Sequence, residues 1–280
     1  MRVKLAEKEL KRHLEACDIP AVEAAWILQD ALAVSVTDYA MMGMTELSKA
    51  DMAKVRSLVE RRLSGEPLQY VLGNTEFYGR RFLVGPGALI PRPETETLVE
   101  LALSFPRPCD HVCDLCAGSG VIALTIASEL SPDAKVYGTD LSPEALLWAA
   151  KNRALLGCSN VEFFQGDLFA PLPPRLTFGL VVSNPPYVSA AEYAALPSEV
   201  RDYEPELALR AAEDGLALLK RIAREARDRL SPGGWLICEM GETHGDRMRA
   251  VLTSLGYEHV QVRCDLTGRE RFVSGRQAAF

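Results

Sequence analysis

From residue 111 onward the chain alternates short apolar, β-branched runs with stretches of helical periodicity, and this alternation limits the possible folds more than any other feature of the sequence. Residues 111–115, 134–140, 161–164, 180–183 and 235–239 read as strands, and 121–130, 143–156, 216–230 and 247–255 as helices. Residues 259–262 and 271–273 add two closing strands. Strands joined through helices pair in parallel, with helices covering both faces of one sheet. The expected architecture is α/β with a mainly parallel sheet.

In such a sheet ligands sit beyond the carboxyl ends of the strands, so the residues just past each strand carry the functional argument. The first strand runs into Asp114-Leu115-Cys116-Ala117-Gly118-Ser119-Gly120, where the glycines let backbone approach a ligand at a helix N-terminus. Twenty residues after Gly120, Asp140 ends the second strand, where a carboxylate can accept from both hydroxyls of a ribose. Asp167, past the third strand, can accept from an exocyclic amine, and Leu168 or Phe169 can pack on a purine face. Together these strand ends describe an adenosine site.

Two cofactors fit that description. Gly118-Ser119-Gly120-Val121-Ile122-Ala123 matches the loose G-x-G-x-x-A form of a dinucleotide fingerprint, which suits an NAD-binding oxidoreductase. S-adenosylmethionine needs a close glycine approach, an acid for its ribose and an acceptor near adenine, and the same residues supply these. A bare nucleotide-binding scaffold is a third reading.

The next strand, 180–183, ends in Asn184-Pro185-Pro186-Tyr187. The prolines donate no N–H and resist a helix start, which frees the carbonyls of Asn184 and Pro185 to accept. With the Asn184 side-chain oxygen they can take both hydrogens of an –NH2 group, and Tyr187 can act as a flat wall. A clamp of this kind suits a planar amide or an exocyclic amine and has no use in hydride transfer, so it favours S-adenosylmethionine. As a plain turn, the same tetrapeptide needs only an Asn that bonds its own backbone.

Composition sets outer limits. The 280 residues are 48% hydrophobic and 25% charged, as in an ordinary globular chain of one large or two modest domains. No window approaches the roughly 18 apolar residues of a spanning helix, and the charged N-terminus has no apolar signal core, so a cytoplasmic protein is expected. The formal net charge of −7 disfavours a nucleic-acid partner, which demands neutralised phosphates. Seven cysteines, an odd number in a chain that needs no staples, suggest reduced thiols. Cys109, His111, Cys113 and Cys116 cluster, but strand geometry turns positions three apart to opposite faces and no second ligand pair follows, so no metal is expected.

Ahead of the α/β part, residues 5–64 show helical spacing for three to five short helices, with Met41-Met42-Gly43-Met44 read as core filler ahead of a contact surface. The pattern of 68–89 turns β-like, with turns at Gly73-Asn74 and Gly79, and reads as a hairpin. Pro93 starts a helix, in which Glu94 and Glu96 suit the N-terminal turn. Lys220, Arg221, Arg224, Arg227 and Arg229 read as a solvated basic face. The expected division is a helical domain over 1–67, a hairpin linker over 68–90 and a catalytic domain over 91–280.

Taken together, the chain resembles the release-factor glutamine N5-methyltransferases, which methylate the glutamine of the Gly-Gly-Gln motif in peptide chain release factors. The likeness spans nearly the whole length. It rests on Gly65-Glu66-Pro67, Glu76-Phe77-Tyr78-Gly79, Leu89-Ile90-Pro91-Arg92-Pro93-Glu94-Thr95-Glu96, the glycine loop, Asn184-Pro185-Pro186-Tyr187, Glu204-Pro205 with Ala208-Leu209, and Asp214-Gly215. Asn-Pro-Pro-Tyr alone is shared with enzymes that methylate amino groups of DNA and RNA bases, which is the rival reading; the other motifs make the resemblance specific.

The resemblance implies a class I (Rossmann-like) S-adenosylmethionine-dependent methyltransferase with a helical N-terminal domain and hairpin that dock the release factor. It assigns Asn184, Pro185 and Tyr187 to catalysis, Asn184 to Tyr187 to the substrate, and Cys116, Ala117, Gly118, Ser119, Gly120, Asp140, Asp167, Leu168 and Asn184 to the cofactor. Nucleic acid and membrane are not expected partners. The family's loop often reads Asp-Leu-Gly-Thr-Gly, so Cys116 and Ala117 are departures, and position 116 is expected to take φ values that a Cβ tolerates. Leu168 stands where an aromatic residue can lie against adenine.

Overall fold

The computed structural model describes residues 1–212 and 214–279, which divide into two compact units. One comprises Met1–Asn74 together with Ser198–Tyr203, the other Thr75–Pro197 together with Glu204–Phe280.

The first unit is helical: α1 (Val3–Glu15), α2 (Glu23–Leu32), α3 (Val36–Met41), α4 (Lys49–Leu63) and α5 (Leu68–Leu72). In α1 the buried positions Val3, Ala6, Leu10 and Leu14 recur at helical spacing and meet Ile27 and Leu28 of α2 and Leu58 and Val59 of α4 in one core. Ser48 opens α4 with a capping box, accepting from the Asp51 N–H while the Asp51 carboxylate accepts from the Ser48 N–H. Arg62 of α4 is buried against Glu23 of α2, with Nε and Nη2 donating to its two oxygens at 2.6 and 3.2 Å, and Nη1 lies 3.2 Å from Glu199. Met41 and Met44, expected in the core, are 85% and 68% exposed.

The span 68–90 is not one hairpin. Leu68–Leu72 is a helical turn, because Pro67 directs the chain into it, Gly73 closes it at φ 71°, and the Arg61 guanidinium donates to the carbonyls of Tyr70 and Val71. The hairpin is the shorter pair β1 (Asn74–Phe77) and β2 (Arg80–Leu83), turning at Tyr78-Gly79. Glu96, assigned only to a helix terminus, accepts from the Tyr78 N–H at 2.8 Å and so pins that turn.

The second unit continues with α6 (Glu94–Ser104), β3 (His111–Leu115), α7 (Val121–Glu129), β4 (Lys135–Asp140), α8 (Pro143–Leu156), β5 (Val161–Gln165) and β6 (Phe178–Ser183). Three short helices follow, α9 (Ala190–Ala194), α10 (Ser198–Arg201, grouped with the first unit) and α11 (Glu206–Leu209). The chain closes with α12 (Ala217–Arg227), β7 (Leu230–Glu239), α13 (Gly245–Ser254), β8 (Glu258–Cys264) and β9 (Glu270–Arg276).

The seven-stranded sheet has the order β5-β4-β3-β6-β7-β9-β8, parallel except for the pairs made by β9. Successive residues point to opposite faces, so Val112, Leu180, Val182 and Ile237 join a core under α6 and α7, while Cys113, Val181, Leu236 and Cys238 join another under α12 and α13. The connections step outward from β3 through β4 to β5 and then return to β6 on its other side. That reversal opens a crevice at the carboxyl ends of β3 and β6.

The basic residues near α12 are not simply a solvated face. Arg221 pairs with Asp167 at 2.8 Å, and Arg229 lies 5.2 Å over the Phe169 ring while donating to the carbonyls of Leu176 and Pro173. All seven cysteines are free thiols. Among the described residues, no helix is long and apolar enough to cross a membrane.

Candidate active site

The register of the central strands sets the site. Leu115 pairs with Ser183, and the Ser183 hydroxyl donates to the Leu115 carbonyl at 2.7 Å, so the glycine loop and the Asn184 segment leave adjacent strands side by side. Both border a cavity of about 390 Å³, lined also by residues 87–89, Pro91, Arg92, Thr95, the segment around α11 and the start of α12.

In the loop Cys116, Gly118 and Gly120 all adopt positive φ, of 59°, 56° and 81°. Cys116 therefore occupies the left-handed region that a Cβ disfavours, contrary to the expectation from sequence. Burial pushes the Cys116 thiol up, so it stays neutral. A Cβ added to Gly118 would meet nothing within 4 Å, which shows that this peptide faces open space. The Gly118 N–H donates at 2.8 Å to Asp140, whose other oxygen accepts from the Ser142 N–H at 2.8 Å. The carboxylate is thus aimed by backbone and keeps lone pairs for a ligand. Burial pushes the Asp140 carboxyl above its ordinary range, ahead of the opposing backbone hydrogen bonds.

Cys116, Ala117, Gly118, Ser119, Asp140, Asn184 and Pro186 line the cavity; Gly120, Asp167, Leu168, Pro185 and Tyr187 do not. Gly120 packs behind the loop, where a Cβ would lie 2.7 Å from Phe163. The Asp167 carboxylate is engaged by Arg221, which itself lines the cavity. Leu168 and Phe169 are core residues, 4% exposed each, and Leu141 and Leu218 provide apolar wall instead. Tyr187 is turned away: its hydroxyl donates to Glu239 at 3.0 Å.

Residues 4–73 match the PrmC N-terminal domain family and residues 107–264 a methyltransferase domain family. A release factor glutamine methyltransferase of Vibrio cholerae is 40% identical over 275 residues, covering 98% of this chain and 95% of its own. One from Koribacter versatilis is 39% identical over 281 residues, 99% of each chain. The chain belongs to the release factor glutamine methyltransferase family. The crystal structure of a methyltransferase from Pyrococcus furiosus shares its fold, with a TM-score of 0.55, 17% identity, and coverage of 81% of this chain and 98% of that one.

As a class I methyltransferase of this family, the protein uses S-adenosylmethionine. The residues present fit that cofactor: an open glycine peptide, a backbone-aimed carboxylate at the end of β4 and an apolar wall converge on one cavity. Sequence reasoning assigned no site role to three residues, Thr95 and Arg92, which line the cavity, and Glu239, which is bonded to Thr95. Thr95 lines the cavity, and its hydroxyl accepts from the Asn184 Nδ2 at 3.2 Å and donates to Glu239 at 2.8 Å. Arg92 also lines the cavity and is held by the buried Glu204, which accepts from the Ile90 N–H as well. The signals were a Thr and an Arg in Ile90-Pro91-Arg92-Pro93-Glu94-Thr95-Glu96 and an acid ending an apolar strand.

Proposed function

We propose that the protein transfers a methyl group from S-adenosylmethionine to the side-chain amide nitrogen of the glutamine in the Gly-Gly-Gln motif of peptide chain release factors. The observation that carries this reading is the meeting of Asn184 and Pro186 with the glycine loop and Asp140 at one cavity, in a chain 40% identical over nearly its whole length to an enzyme of that name. When bound, S-adenosylmethionine supplies a methyl group on a sulfonium sulfur, open to displacement. The backbone of 116–119 takes its methionine part and Asp140 its ribose. The Asn184 side-chain oxygen, in the cavity lining, accepts one hydrogen of the glutamine amide, and the Pro185 carbonyl, whose residue lies outside that lining, is assigned the other.

An amide nitrogen is a poor nucleophile, yet no His or Lys lines the cavity among the described residues and the Cys116 thiol is neutral. Catalysis is therefore positional and electrostatic. The acceptors strengthen as the nitrogen becomes positive, which favours the transition state over the ground state. The surplus proton leaves to water. The helical unit supports docking of the release factor, with the exposed Met41 and Met44 as adaptable contacts. A substrate from the translation machinery supports a cytoplasmic place of action.

The test is incubation with methyl-labelled cofactor and either purified release factor or nucleic acid. Label is expected on the glutamine of the release factor, and Asn184→Ala is expected to cut kcat by about 10²-fold. Label in DNA or RNA and none in protein overturns the reading; the net charge of −7 argues against that outcome.

A further inference from the structure

We propose that Thr95 and Glu239 are positioning residues that fix which end of the Asn184 amide faces the substrate. The proposal rests on the reading of Asn184 as an acceptor for the glutamine amide. An asparagine side chain is nearly symmetric in shape, and turned by half a rotation it would present two N–H donors to a glutamine nitrogen that itself carries hydrogens. Something must select the productive orientation.

A relay through the floor of the cavity makes the selection. Cys238 pairs with Ser183, so Glu239 ends β7 at the level of Asn184 on the neighbouring strand. Glu239 is 2% exposed, and both its oxygens are engaged, one by the Thr95 hydroxyl at 2.8 Å and one by the Tyr187 hydroxyl at 3.0 Å. Both oxygens accept from hydroxyls, so the single hydroxyl hydrogen of Thr95 is committed to this carboxyl group. Thr95 then offers Asn184 lone pairs alone, and it is the amide NH2 that it receives, at 3.2 Å. Asn184 Oδ1 is left as the end that serves the substrate. The same carboxylate anchors Tyr187, so one buried group holds the first and last residues of Asn184-Pro185-Pro186-Tyr187.

The decisive experiment compares Thr95→Val, which keeps the shape and removes the hydroxyl, with Thr95→Ser, which keeps the hydroxyl. Each is assayed for methylation of purified release factor, with cofactor affinity measured by calorimetry. Thr95→Val is expected to lower kcat by about 10- to 100-fold, the scale of a misoriented reacting group, with cofactor affinity unchanged, while Thr95→Ser restores turnover. Because Thr95 acts through Asn184, Thr95→Val should add nothing in an Asn184→Ala background. Glu239→Gln supplies an independent arm: one end of the new amide must donate, so either Thr95 or Tyr187 loses its acceptor, and kcat should fall about tenfold or more. Wild-type turnover in both Thr95→Val and Glu239→Gln, equal losses in Thr95→Ser and Thr95→Val, or losses that multiply in the double variant would overturn the proposal. Full activity in Asn184→Ala instead overturns the underlying reading of the clamp, so the two failures are distinguishable.

Discussion

Two glycines of the cofactor loop show how one residue type serves different ends. Gly118 faces open space, so Gly118→Ala should fold with a loss of about 1–2 kcal/mol for a left-handed alanine and yet block the close approach of ligand to backbone. Gly120 faces packed side chains, where a Cβ would lie 2.7 Å from Phe163 and 3.2 Å from Ala149. Gly120→Ala should therefore destabilise the fold outright, by about 2–4 kcal/mol from overpacking added to strain. Thermal unfolding together with cofactor calorimetry separates the two: a Gly118→Ala that binds cofactor normally would show that the loop is not the approach. The buried acids Asp114, Asp140 and Glu239 all have their carboxyls pushed up by burial. The folded chain thus holds these protons more tightly than the unfolded chain, so their contribution to stability is fully present below the ordinary carboxyl range of about 4 and is lost as pH rises through the raised values. Asp114 is the clearest case, with one oxygen accepting from the Ala123 N–H at 3.0 Å and the other buried without a partner. Asp114→Asn is expected to raise Tm at pH 7 and to leave it unchanged near pH 4, as read by scanning calorimetry. A variant less stable at pH 7 than at pH 4, relative to the parent, would contradict this sign.

At the level of elements, the parallel strands were legible because they are short apolar runs, two of which end in a polar Asp140 or Ser183. β3 over 111–115 and α8 over 143–156 fall where the pattern puts them. α5 was misread because five residues cannot separate a helical from a strand period, and what decides it is Arg61 of the preceding helix α4. β7 begins at Leu230, not at 235, since Ser231-Pro232-Gly233-Gly234 forms a bulge where the pairing jumps from Phe178–Leu230 to Leu180–Trp235. For the site, the loop, Asp140 and Asn184 were legible as strand-end residues, whereas the Thr95–Glu239 bond joins positions 144 apart and leaves no local trace. Asn152 of α8 is a similar hidden link: buried, it accepts from the Leu83 N–H at 2.7 Å and donates to the carbonyls of Leu83 and Ser119 at 3.0 Å each, tying the hairpin to the cofactor loop. Asn152→Ala is expected to cost about 2–4 kcal/mol for orphaned buried backbone groups, and to speed amide exchange at Leu83. Unchanged protection of that amide would show that the hairpin is held by its apolar face alone, through Phe77 and Phe82.

On the scale of the molecule, the first unit draws residues from two distant parts of the sequence, and Arg62 sits where they meet. Its pair with Glu23 is closed off from water, with side-chain exposures of 9% and 8%. Arg62→Met leaves Glu23 charged and buried without a partner and should lower stability by about 3–5 kcal/mol, while Arg62→Met with Glu23→Leu should recover most of the loss. Chemical denaturation of the two variants checks this; equal stabilities would show that the pair is not desolvated. Because Ser198–Tyr203 belongs to that unit, the order of synthesis matters as well. At about 5–20 residues per second, Glu199 emerges on the order of ten seconds after Arg62. Glu23 neutralises Arg62 from the start, so the early helices can collapse without a stray buried cation. Their last segment, however, arrives only after the glycine loop and Asn184 have been made. The portion of the chain translated first is among the last to be complete, and a nascent chain stalled between residues 184 and 198 carries every loop residue and Asn184 while its helical unit is still unfinished.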